Sequence, residues 1–175
     1  MTGAVAWITG LPAAGKSTFA RGLRDRLAAG GRACVLLDGD EVRAALVPRP
    51  GYDPSGRAAF YETLGNLALA IAGQGLVAVV AATGHRRAFR DRVRARAPRF
   101  VEVFVDVPAE VCAARDPKGL WAGARAGEAP ELPGAAVAYE PPLAPEVVAR
   151  GGEDAGALEA AAALLAAAPG RPGGR

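Results

Sequence analysis

VAWITGLPAAGKST (Val5–Thr18) decides the fold. VAWIT (Val5–Thr9) is a short apolar, β-branched run that ends on a glycine, which predicts a buried strand entering a turn. Gly10-Leu11-Pro12-Ala13-Ala14-Gly15-Lys16-Ser17 then satisfies G-x-x-x-x-G-K-[ST]. Beyond it, Phe19, Ala20, Leu23 and Leu27 recur at helical spacing from Ser17 to Ala29, and Gly30-Gly31 closes the run. Strand, glycine-rich loop and helix in that order form a phosphate-binding loop.

Each residue type has a task there. Gly10 and Gly15 let backbone N–H groups curl around phosphates at the positive end of the helix that follows. Lys16 reaches the β- and γ-phosphates, and the Ser17 hydroxyl is placed to ligate Mg²⁺. The segment Gly10, Leu11, Pro12, Ala13, Ala14, Gly15, Lys16, Ser17 and Thr18 is therefore the expected ATP-binding loop.

Outward from the loop, ACVLL (Ala33–Leu37) predicts a second buried strand, with DGD at its carboxyl end. Glu41–Leu46 suggests a short helix. Arg57–Ala72 is a longer one, with an apolar face assigned to Leu64, Leu67, Leu69 and Ile71. Leu76–Ala82 and Phe100–Val107 predict two more strands, separated by a helix near Ala88–Arg96. Ala109–Arg115 is a short helix leading into DPKGLWAGARAGE, a Gly-rich polar segment. Glu146–Ala149 suggests a last strand and Ala155–Ala168 a last helix. Strands alternate with helices and read as continuous apolar runs, which predicts a three-layer α/β/α fold of the P-loop NTPase type around a mostly parallel sheet. Residues 1–168 are read as one kinase domain and 169–175 as a disordered tail.

Asp38 and Asp40 of the DGD motif are the second chemical signal. Their strand is expected to neighbour the P-loop strand, at the edge where open α/β sheets place their sites. One carboxylate would orient the Mg²⁺ shell and the other would take a proton from an attacking hydroxyl. The same residues also suit an Asp-Gly turn and an N-cap for the next helix.

Composition narrows the class. The chain has 175 residues, 51% hydrophobic and 22% charged, with a net charge of +3. That size and balance fit one soluble core. No apolar run approaches the roughly 20 residues of a membrane span, and the N-terminus lacks the basic region of a signal peptide. Cys34 and Cys112 sit in apolar stretches and read as reduced core residues of a cytoplasmic protein. Arg86–Arg99 is the densest basic run. Its charges scatter around a helix and it carries one aromatic, Phe89, so it reads as a solvated face and not a nucleic-acid site.

GLPAAGKST, LDGDEVR (Leu37–Arg43) and FVEVFVDVPAEVCAARDPKGLWAGARAGE (Phe100–Glu128), followed by YEPP at Tyr139–Pro142, together resemble the adenylyl sulfate kinases. The resemblance runs over roughly residues 4–150. It implies an ATP- and Mg²⁺-dependent kinase that phosphorylates the 3′-hydroxyl of adenylyl sulfate, in sulfate assimilation, and it suggests a homodimer. By position it implies catalytic roles for Lys16, Asp38 and Asp40, and metal contacts for Ser17 and Asp38. Arg115 and Arg125 would belong to a lid over ATP, with Lys118 as either a lid contact or a solvated charge. Asp40, Arg43, Tyr52 and Arg57 would contact the acceptor.

The chain departs from that pattern on the acceptor side. GHRRAFR (Gly84–Arg90) stands where the family reads close to Ser-Phe-Ile-Ser-Pro-Tyr-Arg, placing His85 and Arg87 at a Phe and a Ser. FYET (Phe60–Thr63) stands for Asn-Ile-Arg-Arg, Leu132 for an adenine-stacking Phe, and Ala122-Gly123 for two lid lysines. His85, Arg87 and Leu132 are therefore the expected acceptor contacts peculiar to this chain, with His85 and Arg87 as substitute cations. A different anionic nucleotide or hydroxylated metabolite is the alternative acceptor, and a non-catalytic nucleotide-binding subunit the alternative class.

Overall fold

The structure is a computed structural model that describes residues 2–127, 132–135 and 137–166. The expected tail at 169–175, Glu128 of the quoted motif and the last two residues of the expected 155–168 helix lie outside the described residues.

Five parallel strands form one sheet: β1 (Ala4–Thr9), β2 (Cys34–Asp38), β3 (Val77–Ala81), β4 (Phe100–Val105) and β5 (Val147–Ala149), in the spatial order β2-β3-β1-β4-β5. Seven helices are described: α1 (Lys16–Ala29), α2 (Gly39–Ala45), α3 (Pro54–Gly73), α4 (Arg87–Arg94), α5 (Ala109–Arg115), α6 (Leu120–Arg125) and α7 (Ala155–Ala166). The α/β class and its parallel sheet are as the alternation of runs predicts.

Alternation along each strand feeds two cores. Ala4, Ala6 and Ile8 of β1, with Val77, Val79 and Ala81 of β3, pack against Phe19, Leu23 and Leu27 of α1 and Leu158 and Leu165 of α7. Val5, Trp7, Ala78 and Val80 face the other way, onto Phe60, Tyr61, Leu64 and Ala68 of α3 and Val93 of α4. Every residue of β1 is buried, so the P-loop is launched from the inside of the sheet.

Four expectations change. The DGD strand does not neighbour β1, because β3 lies between them. All five β3 residues are buried while β2 is mostly half-exposed, so the more apolar strand takes the inner slot. Leu67 is exposed, and the buried face of α3 follows Phe60, Leu64, Ala68 and Ala72 at i, i+4 steps. DPKGLWAGARAGE is not all loop: Leu120–Arg125 forms α6, whose Trp121 is buried. Cys112 is buried and free, whereas Cys34 is only partly covered.

Candidate active site

Register brings the two motifs level despite the intervening strand. Asp38 pairs with Ala81, and Ala81 with Ile8, so β1, β2 and β3 end on one line. Gly10 and the DGD turn leave the sheet from the same edge.

The loop is built by its backbone. Gly10 has φ 153°, and a Cβ there would stand 2.7 Å from the Val105 carbonyl oxygen. Gly15 has φ 104°, and its Cβ would stand 2.8 Å from the Gly152 nitrogen. Ala13, a non-glycine residue, has φ 67°, in the left-handed region. Ala14 N–H donates to Leu11 O at 3.1 Å, turning the loop at its tip. No side chain caps α1, so its first N–H groups keep their capacity for an anion.

Lys16 donates to Leu11 O at 2.8 Å. Desolvation of its ammonium lowers the pKa to about 8, against the opposing pull of Asp40, Cys112 and Asp38. The Ser17 hydroxyl donates to Asp38 Oδ2 at 2.5 Å, and Asp38 Oδ1 accepts from Asp40 N–H at 3.0 Å. Asp38 thus does both things its sequence allows: it caps α2 and faces the P-loop. Asp40 is held by Lys118, whose ammonium donates to Asp40 Oδ2.

Beyond the acids lies an arginine–aromatic cluster. Arg43 is buried, donates to Pro50 O and Gly51 O at 3.1 and 2.8 Å, and lies 3.8 Å over the Phe60 ring and 4.5 Å over Tyr52. Burial lowers its pKa. Arg57 is buried and donates to Tyr52 O; its guanidinium stands 5.9 Å from the exposed Tyr52 ring. The structure brings Arg43, Tyr52 and Arg57 together.

His85 is 3% exposed, packed beside Tyr61 at 6.0 Å and Phe89 at 5.5 Å between ring centres. Its Nδ1 has no hydrogen-bond partner among the described residues. Burial first, then Arg57 and Arg86, push its pKa down to about 4, so it is neutral near pH 7 and not the substitute cation expected. Below pH 6.5 the unfolded chain takes a proton that the folded one refuses. Stability therefore falls as pH drops from 6.5 towards about 4, by on the order of 3 kcal/mol. His85→Phe is expected to lack that limb, so urea midpoints of the two proteins should diverge between about pH 7 and pH 4.5. Parallel pH curves would contradict it.

Arg87 turns to the strap that follows Gly134. Its Nη1 donates to Pro141 O at 3.1 Å and its N–H to Glu140 Oε2 at 2.8 Å. Leu132 is buried in the core with Trp121, and Leu11 packs against that core. Arg115 and Arg125 are exposed at the ends of α5 and α6; Arg125 Nε donates back to Trp121 O at 3.4 Å. A cavity of about 440 Å³ opens beside the loop between Leu11, Phe104, Asp106, Gly134 and Tyr139. Of the site residues expected from sequence, Leu11 alone lines it.

Several supporting residues were not anticipated. Trp121 Nε1 donates to Pro12 O at 3.1 Å and pins α6 to the P-loop. Thr9 Oγ1 bonds Thr83 O at 2.6 Å and the Tyr139 hydroxyl at 2.9 Å, tying the strap to the sheet edge. Arg90 is 1% exposed; it donates to Glu102 Oε1 at 2.7 Å, to Glu140 O at 2.8 Å and to Gly84 O. A lone Trp in a polar segment was the one sequence signal for α6. The family pattern quoted for Gly84–Arg90 also ends in Arg, so Arg90 is the position there that matches, but nothing in the sequence showed that it is buried.

The profile of the adenylylsulphate kinase family matches residues 2–150. The adenylyl-sulfate kinase of Vibrio cholerae is 44% identical over 152 residues, covering 86% of this chain and 71% of that protein. That of Paraburkholderia xenovorans is 43% identical over 150 residues, covering 83% and 82%. Among solved structures, the Mycobacterium tuberculosis APS kinase in complex with AMPPNP and APS superposes with a TM-score of 0.78 at 36% identity, covering 84% of this chain and 87% of that one.

Proposed function

The chain belongs to the adenylylsulphate kinase family, and from that premise we infer that it transfers the γ-phosphate of ATP to the 3′-hydroxyl of adenylyl sulfate, giving 3′-phosphoadenylyl sulfate and ADP. The observation that carries this reading is the Ser17–Asp38 contact, which joins the phosphate loop to the acids of the DGD turn.

The donor would lie on the α1 N-terminus, with Lys16 against its terminal phosphates. The Ser17 hydroxyl and the Asp38 carboxylate are hard oxygen donors converging at 2.5 Å, a set that fits Mg²⁺ with water and phosphate oxygens completing the shell. When bound, that ion neutralises charge on the β- and γ-phosphates. Asp38 is engaged on the P-loop side, which leaves Asp40 as the base. The acceptor 3′-oxygen bonds the γ-phosphorus as the bond to the β,γ-bridging oxygen breaks, and the hydroxyl proton passes to Asp40. Arg43, Arg57 and Tyr52 would hold the acceptor, while Arg115 and Arg125, at the two ends of the lid, would meet the nucleotide. Closure of that lid would exclude water from the phosphoryl group.

One observation favours a second acceptor. Phe60, Tyr61 and His85, three departures from the family pattern, form one aromatic cluster with Phe89. In that wall Phe60 puts an apolar ring where the family pattern has Asn, while Tyr61 and His85 stand where it has Ile and Phe. Steady-state turnover with ATP and adenylyl sulfate, beside AMP and other hydroxylated anions, tests the reading. Adenylyl sulfate should give the highest kcat/KM; a higher value for another acceptor would replace it. We also propose a homodimer, to be checked by sedimentation, and a cytoplasmic setting that suits the two free thiols.

A further inference from the structure

The chain has two lysines, Lys16 and Lys118, and the phosphate loop uses one of them. Lys118 sits between α5 and α6 and donates to Asp40 Oδ2. The turn that carries it is fixed at both ends: Asp116 Oδ2 accepts from Ala122 N–H at 2.9 Å, and Trp121 anchors α6 on Pro12 O. Lys118 is near enough to Lys16 for their charges to repel, and Asp40 is the strongest charge acting on Lys16. Lys16, Asp40 and Lys118 therefore share one patch, at the place where a γ-phosphate would arrive.

We propose that Lys118 is a donor-sensing positioning residue, which masks Asp40 until ATP draws it onto the phosphates and bares Asp40 for the acceptor. The inference rests on the reading of Asp40 as the acceptor's base. One ammonium cannot neutralise both partners at full strength, and a triphosphate on Lys16 carries more charge than a lone carboxylate. The present pair is easily exchanged, since its side chains are 61% and 67% exposed. Donor and acceptor binding become coupled through one side chain.

Binding measured by calorimetry tests this, with a non-hydrolysable ATP analogue plus Mg²⁺ and with adenylyl sulfate as probes. In the unsubstituted enzyme the analogue should tighten adenylyl sulfate binding about two- to fivefold, the size of an exposed ion pair. Lys118→Met should bind adenylyl sulfate equally well with or without the analogue, and Lys118→Arg should restore the coupling. A second readout needs no acceptor. Asp40→Asn should tighten analogue binding more in the presence of Lys118 than in the Lys118→Met background. Coupling unchanged in Lys118→Met, or an equal Asp40→Asn gain in both backgrounds, would overturn the proposal. Failure of every form to bind adenylyl sulfate would count against the acceptor reading instead, and the analogue cycle would still decide the role of Lys118.

Discussion

Lys16→Met is expected to lower kcat about a thousandfold, the scale set by removing one preorganised donor from a developing negative charge. The fold should survive the change. Lys16 spends its ammonium on the Leu11 carbonyl, and desolvation already lowers its pKa to about 8. A group whose folded pKa lies below its unfolded value costs stability while charged, and that cost fades as pH rises from about 8 towards 10.5. Methionine keeps most of the stem and removes the charge, so the melting temperature at pH 7 should hold or rise. The same shift sets the alkaline limb of the unsubstituted enzyme: kcat/KM for ATP should fall above about pH 8, as Lys16 loses its proton. Bound phosphates stabilise the charged form, so the limb in kcat should lie higher. A kcat within tenfold of the unsubstituted enzyme would contradict the role given to Lys16.

Arg90→Met is expected to be the most destabilising single change, by about 3–5 kcal/mol, the usual result of stripping the partner from a buried charge. Glu102 is 5% exposed and would keep only Arg94, at 3.0 Å, while the carbonyls of Gly84 and Glu140 would lose a donor. The double variant Arg90→Met with Glu102→Leu should recover part of that loss, since the buried carboxylate goes with its partner. Urea unfolding reads both. A loss below about 1 kcal/mol for Arg90→Met would mean that the network is surface decoration.

What the sequence made legible follows from the range of the forces involved. The P-loop and the DGD acids are local: glycine conformations, an uncapped helix start and an Asp N-cap are each dictated within a few residues. Their meeting through Ser17 and Asp38 followed once a parallel sheet was assumed, although the strand order was different. Adjacency depends on which strand is apolar on both faces, and β3 takes the inner place from β2 on that ground. Helix α6 escaped notice because it is six residues long and is anchored by Trp121 on the P-loop carbonyl, a contact 109 residues apart. Arg90 matched the family pattern in an arginine-rich helix, but its burial depends on Glu102 and Glu140, which are distant in sequence. His85 looked like a cation until burial beside Tyr61 and Phe89 made it neutral. Charge state belongs to the environment, and the environment is long-range.

The most direct measurement is the position of the transferred phosphate. Incubation of the full chain with ATP, Mg²⁺ and adenylyl sulfate, followed by ³¹P NMR and mass analysis, should give 3′-phosphoadenylyl sulfate and ADP in equal amounts, with Lys16→Met giving neither. ATP consumed without a 3′-phosphorylated product, or full turnover only with a different acceptor, would contradict the account.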